Sequence, residues 1–188
     1  MASKANNGGS GRHIPWRILG WGAVAILILL PLVAMQFSSE VNWTASDFIF
    51  AAAMFGIAGG TFELAVRASG SRAYRAGAAI ALLTAFLTIW INLAVGIIGN
   101  EDNPLNLMFF GVIAAAIVGA IVARFEAAGM ARAMTIAAAL QGFIGVGVLV
   151  TGWGSSEPPG IFGLFILIEF FSVAWLLSAL CFRKSAAA

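Results

Sequence analysis

One acidic residue stands in a part of the sequence where charge is otherwise absent. Glu169 lies in the segment LFILIEFFSV, with apolar residues on both sides. Without a cation nearby, a carboxyl in such surroundings favours its protonated form, and residues 161–182 contain no Lys or Arg. Two roles are open. Glu169 could bind and release a proton or a cation, or it could hold helices together through hydrogen bonds as a protonated acid.

Polar side chains in two other apolar stretches could act together with Glu169. Thr84, Thr88 and Asn92 are spaced by four residues, which places them on one stripe of a helix. The threonines can bond back to their own helix, whereas Asn92 is expected to need another helix or water. Gln141 lies near the centre of a further stretch. By helical rise, Asn92 and Glu169 lie at similar depths and could meet.

The segment 90–106, WINLAVGIIGNEDNPLN, breaks an apolar stretch with a short acidic loop. Glu101 and Asp102 could attract a cation, although adjacent residues usually point apart. Asn103 is a predicted helix N-cap, and Pro104 suits the first position of the helix that follows.

Enzymes are the least favoured class of function. The sequence has one histidine, His13, and one cysteine, Cys181. These counts exclude a Cys/His zinc site, a haem bundle with four histidines and a Ser-His-Asp triad inside the fold. We predict no catalytic residue, no metal site and no cofactor.

The composition predicts an all-α integral membrane bundle. Of 188 residues, 61% are hydrophobic and 10% are charged, whereas soluble domains carry about 25% charged residues. Six apolar stretches are each near the roughly 20 residues that cross a bilayer. They cover about 16–37, 47–66, 76–98, 105–123, 133–151 and 161–182. We predict one membrane domain at 14–184, a flexible tail at 1–13 and a short tail at 185–188.

Charge sorting predicts the orientation. With six spans, all ten Lys and Arg residues fall on one side. They lie in the N-terminal tail and at the start of the first span (Arg17), in segments 67–75 and 124–132, and after the last span. The opposite loops carry Glu40, Glu101, Asp102 and Glu157. Because basic loops face the cytoplasm, we expect a multi-pass protein of a bacterial inner membrane with both termini cytoplasmic.

Local patterns predict how the helices begin and pack. Thr44-x-x-Asp47 has the form of a capping box, and Glu63 with Arg67 has the spacing of a helical ion pair.

Small residues at four-residue spacing should let another helix approach, within the monomer rather than between copies. They are Gly56 and Gly60 in the second span, and Gly111, Ala115 and Gly119 in the fourth. Predicted interfacial anchors are Trp16, Trp21, Trp43, Trp153 and Trp175.

Four segments resemble a known family. They are VAMQFSSEVNWTASDF at 33–48, FELAVRASGSRAYRA at 62–76, WINLAVGIIGNEDNP at 90–104 and ARFEAAGMARA at 123–133. The chain is similar there to uncharacterised alphaproteobacterial membrane proteins. The resemblance implies a small multi-span inner-membrane protein, and because that family has no assigned activity, it implies no ligand or catalytic residue.

Two classes of function remain. The favoured one is a structural or accessory helix bundle that acts in the lipid bilayer through a membrane-protein partner or a second copy. The alternative is a small transporter or a proton- or cation-conducting bundle that uses Glu169 with Asn92 and Gln141. Nucleic acid is not an expected partner, because the basic residues are scattered rather than gathered on one face.

Overall fold

The computed structural model describes residues 16–154 and 159–188. The predicted tail at 1–13 and Glu157 lie outside these ranges. Within them the chain forms six α-helices, and each is long and apolar enough to cross a membrane once the 3₁₀ turn Pro104–Asn106 is counted with the fourth. They are α1 Trp16–Ala34, α2 Ala45–Ala68, α3 Arg72–Ala94, α4 Leu107–Val122, α5 Ala127–Thr151 and α6 Gly160–Ala186. The prediction of an all-helical chain with six membrane-length helices is confirmed.

Several helices are longer than the apolar stretches that predicted them. α5 begins at Ala127 rather than at 133, and α6 continues to Ala186, into the predicted tail. Backbone hydrogen bonding continues into the polar residues that flank a span, and an apolar count leaves these residues out.

The predicted local pairs form at α2. Asp47 Oδ2 accepts hydrogen bonds from the Thr44 N–H at 2.7 Å and the Thr44 hydroxyl at 2.8 Å, and Arg67 lies 3.4 Å from Glu63.

The chain divides into two compact units, Met1–Gly59 and Gly60–Ala188, with the boundary inside α2. In the first unit, the described side chains of α1 include no buried residue. Along its described length, α2 fully buries Ala51 alone. The ring of Trp21 lies 3.0 Å from the point where a Cβ on Gly59 would stand, so the absence of that Cβ lets α1 approach α2.

In the second unit, α6 packs along both α5 and α3, and α4 packs against α5. Phe182 of α6 lies 3.1 Å from a Cβ position on Gly77 of α3, and the Ser178 hydroxyl donates to the Gly77 carbonyl oxygen at 2.8 Å. α4 approaches α5 where a Cβ on Gly119 would lie 2.7 Å from the Ala133 Cβ. These glycines are necessary because bulkier residues would separate the helices.

Not all of the predicted small residues have this role. Gly56, Gly60 and Gly111 have no atom of a neighbouring described element within 4 Å of a Cβ position, and Ala115 is half-buried. The packing predicted for these three glycines is therefore not observed in the described part of the chain.

Two apolar clusters fill the second unit. The first apolar cluster gathers side chains of α3 to α6, among them Ala78, Val112, Ala138, Trp175 and Phe182. The second apolar cluster consists of Ile97, Ile98, Phe109, Val148, Leu164 and Ile168. Trp175 is 2% exposed, so the prediction that it anchors an interface is wrong. Its large ring fills the core among small alanines instead.

α3 ends at Ala94, four residues before the predicted end of its span at Ile98. Gly96 leaves the helical conformation with a φ of +73°, which glycine adopts without strain. Ile97 and Ile98 then fold into the second apolar cluster. Their apolar side chains are accounted for by burial in this cluster, and they do not belong to a spanning helix.

Candidate functional site

A layer of polar side chains lies between the two apolar clusters. Along α5, Gln141 follows Ala138 of the first cluster and precedes Val148 of the second. Along α6, Glu169 and Ser172 lie between Ile168 of the second cluster and Trp175 of the first. We refer to Gln141, Glu169 and Ser172, with the glycines of α5 that face them, as the polar layer.

The Glu169 carboxyl lies against the bare backbone of two α5 glycines. A Cβ on Gly145 would overlap Glu169 Oε1 and would lie 3.2 Å from the carboxyl carbon. A Cβ on Gly142 would lie 3.6 Å from Glu169 Oε2 and 3.3 Å from the Ser172 Oγ. Only glycine at position 145 leaves room for the carboxyl in this place.

One oxygen of this carboxyl is enclosed without a partner. Glu169 as a whole is half-buried, yet its Oε1 is buried and accepts or donates no hydrogen bond. Segments 76–94, 133–151 and 160–182 contain no Lys or Arg, so no basic side chain of these helices lies at this depth to balance a negative charge.

Ser172 lies between the Glu169 carboxyl and a backbone acceptor. The Ser172 hydroxyl lies beside the Glu169 carboxyl, but it donates its one hydrogen to the Ala138 carbonyl oxygen at 2.9 Å. A hydroxyl has one donor and two acceptor positions. With its hydrogen on Ala138, Ser172 has acceptor capacity left for a protonated Glu169, and with its hydrogen turned to the carboxyl it could donate to the ionised form.

Two further groups in the core have unused hydrogen-bonding capacity. Gln141 is 0% exposed, and neither its Oε1 nor its Nε2 has a partner; the indole nitrogen of Trp175 also has none. Buried polar groups are paired in most native proteins. Such groups are therefore the ones that a polar solute or a proton carrier would engage.

The polar side chains along α3 make more hydrogen bonds within their own helix than the sequence predicts. Thr84 donates to the Ile80 carbonyl oxygen and Thr88 to that of Thr84. The sequence predicts that Asn92 needs another helix or water, but its Nδ2 donates to the Thr88 carbonyl oxygen of its own helix at 2.7 Å. Its Oδ1 stays buried without a partner.

Depth separates Asn92 from Glu169. The Ser71–Ser185 and Gly77–Ser178 hydrogen bonds set the register of α3 against α6. Counted from them, Phe86 and Leu87 lie level with Glu169, and Asn92 is about 8 Å further toward the second apolar cluster. In the described structure no hydrogen bond joins Glu169 to Asn92 or to Gln141.

The acidic loop is organised by a residue that sequence reasoning missed. The Asn106 Oδ1 accepts from the N–H groups of Ile97 and Ile98 at 3.1 and 2.9 Å. Its Nδ2 donates to the carbonyl oxygens of Ile98 and Asn100 at 3.3 and 2.7 Å. An asparagine two residues after a helix-starting proline was the available signal, but a local pattern does not reveal partners eight residues away.

The remaining predicted features of this loop are local. Asn103 accepts from the Leu105 N–H at 3.0 Å, and Pro104 opens the first helical turn, as predicted. Glu101 and Asp102 are exposed. Among the described residues, no three His, Cys, Asp or Glu side chains come close enough together to hold a metal ion.

Comparisons with protein-family models, curated proteins and solved structures find no match to the chain. Any function therefore has to follow from the chemistry of the polar layer and of the surfaces around it.

Proposed function

We propose that this protein is a membrane-spanning helix bundle that binds and releases protons at Glu169 and so carries them across a bacterial inner membrane. The orientation proposed is the one that charge sorting predicts, with both termini in the cytoplasm. One observation carries the proposal. An enclosed carboxyl oxygen without a partner lies on a glycine surface, close to a hydroxyl that bonds the Ala138 carbonyl oxygen and can turn toward the carboxyl.

The same neighbours supply a way to stabilise the ionised carboxyl. When the proton leaves Glu169, rotation about the Cβ–Oγ bond of Ser172 can turn its hydrogen from the Ala138 carbonyl oxygen to the carboxylate. A hydrogen bond to a charged group is stronger than one between neutral groups. Ser172 therefore serves both protonation states without movement of either helix, which suits a group that must gain and lose a proton repeatedly.

An accessory bundle is the second candidate, and a different observation favours it. The described residues of α1 include none that is buried. A partner protein would cover such a helix, but lipid covers apolar helices equally well. The unpaired groups of the polar layer have no such general explanation, and for this reason proton binding takes precedence.

Proton flux into liposomes that contain only this protein tests the proposal. A potassium gradient with valinomycin drives protons inward, and a trapped pH-sensitive dye reports them. We expect flux above that of empty liposomes, and we expect Glu169→Gln to reduce it to the empty-liposome rate because an amide cannot exchange a proton. Glu169→Asp should retain part of the flux.

The control is Glu101→Gln, which removes an exposed acid from the loop and should leave flux unchanged. Wild-type flux equal to that of empty liposomes, or equal flux in wild type and Glu169→Gln, would contradict proton transport. The accessory function would then be the better account.

A further inference from the structure

Three helix ends of the second unit are joined around Tyr74. Its hydroxyl donates to the Phe125 carbonyl oxygen, in the turn between α4 and α5, at 2.7 Å. Its ring packs edge-on against Phe182, near the end of α6, with the centroids 5.0 Å apart. Ser71, which caps α3, is hydrogen-bonded to Ser185 of α6 at 2.9 Å. The start of α3, the α4–α5 turn and the end of α6 therefore form one end of this unit.

Cationic side chains gather at this end. They are Arg72, next to Ser71; Arg124, next to Phe125; and Arg183 with Lys184, next to Phe182 and Ser185. All four are exposed, and none makes a hydrogen bond or ion pair with a described residue. We refer to these four residues as the basic face.

Other charges near the basic face do not cancel it. Arg75 is engaged elsewhere, because its guanidinium donates to the carbonyl oxygens of Ser69 and Val66 at 2.9 and 3.0 Å. Glu126, in the turn itself, adds a single exposed negative charge. It caps α5 without a side-chain hydrogen bond, so the N–H groups of that helix end also remain available to an anion.

An exposed aromatic ring projects from the same end. Arg124 and Phe125 both adopt positive φ values, 49° and 60°, which residues other than glycine rarely do. The Tyr74 bond to Phe125 holds this turn, and the Phe125 side chain is left 55% exposed. A soluble anion would have no use for this ring, whereas a lipid presents an apolar region beside its phosphate.

We propose that the basic face binds the phosphate of an anionic phospholipid, with Phe125 in contact with the apolar part of that lipid. Clustered basic residues beside membrane helices attract anionic headgroups. The chemistry recognised is a phosphodiester that carries a net negative charge, as in phosphatidylglycerol, in preference to the neutral headgroup of phosphatidylcholine. This site does not involve Glu169, and it stands apart from the proton-binding proposal.

Spin-labelled lipids measure this preference with the full chain in phosphatidylcholine vesicles. The readout is the immobilised fraction of spin-labelled phosphatidylglycerol relative to that of spin-labelled phosphatidylcholine. We expect wild type to prefer the anionic lipid. Each cation removed should weaken the preference by up to about fivefold, and the combination of Arg124→Asn, Arg183→Gln and Lys184→Gln should abolish it. Asparagine is chosen at position 124 because it tolerates a positive φ.

Two variants separate charge from folding. Arg183→Lys keeps the charge and should keep the preference. Arg67→Gln removes a charge that is paired with Glu63 and should change the preference less than twofold, since a paired cation contributes little to an exposed site. An absent preference in wild type, or an unchanged preference in the triple variant, would overturn the proposal.

Soluble glycerophosphate distinguishes the membrane lipid from a free phosphate compound. Sodium chloride at the same ionic strength is the reference, because it screens charge without offering a phosphate. We expect both additions to lower the preference equally. A larger effect of glycerophosphate would show that the basic face takes a soluble phosphate and would overturn the assignment to lipid.

Discussion

Replacing Asn106 with leucine is expected to lower the free energy of unfolding by about 3–5 kcal/mol. The Asn106 side chain is 4% exposed and bonds four backbone groups of the segment 97–100. Leucine has a similar volume but leaves those groups unpaired, and each unpaired buried group costs about 1–3 kcal/mol. Ile97 and Ile98 would also lose the anchor that keeps them in the second apolar cluster.

Denaturant titration in mixed micelles, followed by helical circular dichroism, measures this loss. Asn106→Asp is the matched variant, because it keeps both acceptor bonds and loses the two donor bonds, so its cost should be intermediate. Asn103→Ala removes one capping bond and should cost about 1 kcal/mol. An Asn106→Leu variant as stable as Asn103→Ala would show that the loop is held by something other than this side chain.

Replacing Gly145 with alanine is expected to reduce proton flux about tenfold or more, equivalent to about 1.4 kcal/mol in the barrier. The added methyl group would overlap Glu169 Oε1. The carboxyl would have to leave its place beside the Ser172 hydroxyl. The measurement is the liposome assay, with the amount of reconstituted protein matched between samples.

Gly147→Ala is the control on the same helix. A Cβ there meets no atom of a neighbouring described element within 4 Å, so flux should be unchanged. Shortening the acid in a Gly145→Ala, Glu169→Asp double variant should restore part of the flux, because the shorter side chain avoids the methyl group. Equal effects of alanine at positions 145 and 147, or two additive losses in the double variant, would argue against direct contact.

Much of the fold follows from local rules. An apolar stretch of about 20 residues predicts a spanning helix because backbone groups in a bilayer must bond to one another. The Thr44–Asp47 pair forms one of the two bonds of a capping box, from the Thr44 N–H to the Asp47 carboxylate, and the Glu63–Arg67 pair forms as predicted. In both cases the partners lie within four residues of each other. Asn103 and Pro104 act locally in the same way.

The features that sequence reasoning missed depend on packing between distant segments. Ile97 and Ile98 extend the apolar stretch of α3, and only bonds from Asn106 reveal that they lie in a loop. Gly145 and Gly147 are indistinguishable in the sequence, yet one faces Glu169 and the other faces no neighbouring described element. Which face of an evenly apolar helix meets its neighbour is decided by the whole unit.

The polar side chains of the apolar stretches illustrate the same division. The sequence identifies Glu169, Asn92 and Gln141 as polar side chains in apolar surroundings, and the structure buries most of their polar atoms. In the structure Asn92 makes no hydrogen bond to Glu169, and its side-chain amide bonds the Thr88 carbonyl oxygen one turn away instead. Ser172 had no distinguishing local pattern, and its role rests on its contact with Ala138 of another helix.

Reaction with a hydrophobic carbodiimide tests most directly whether Glu169 is a protonated carboxyl that can be reached within the bilayer. The reagent takes up the carboxyl proton and bonds to the carboxyl oxygen, and rearrangement leaves a stable N-acylurea that peptide mass spectrometry locates. We predict an adduct on Glu169 in the folded protein, formed more slowly as pH rises and absent in Glu169→Gln. If folded protein leaves Glu169 unmodified at every pH while unfolded protein is modified there, the carboxyl is sealed or ionised, and the proposed proton site is wrong.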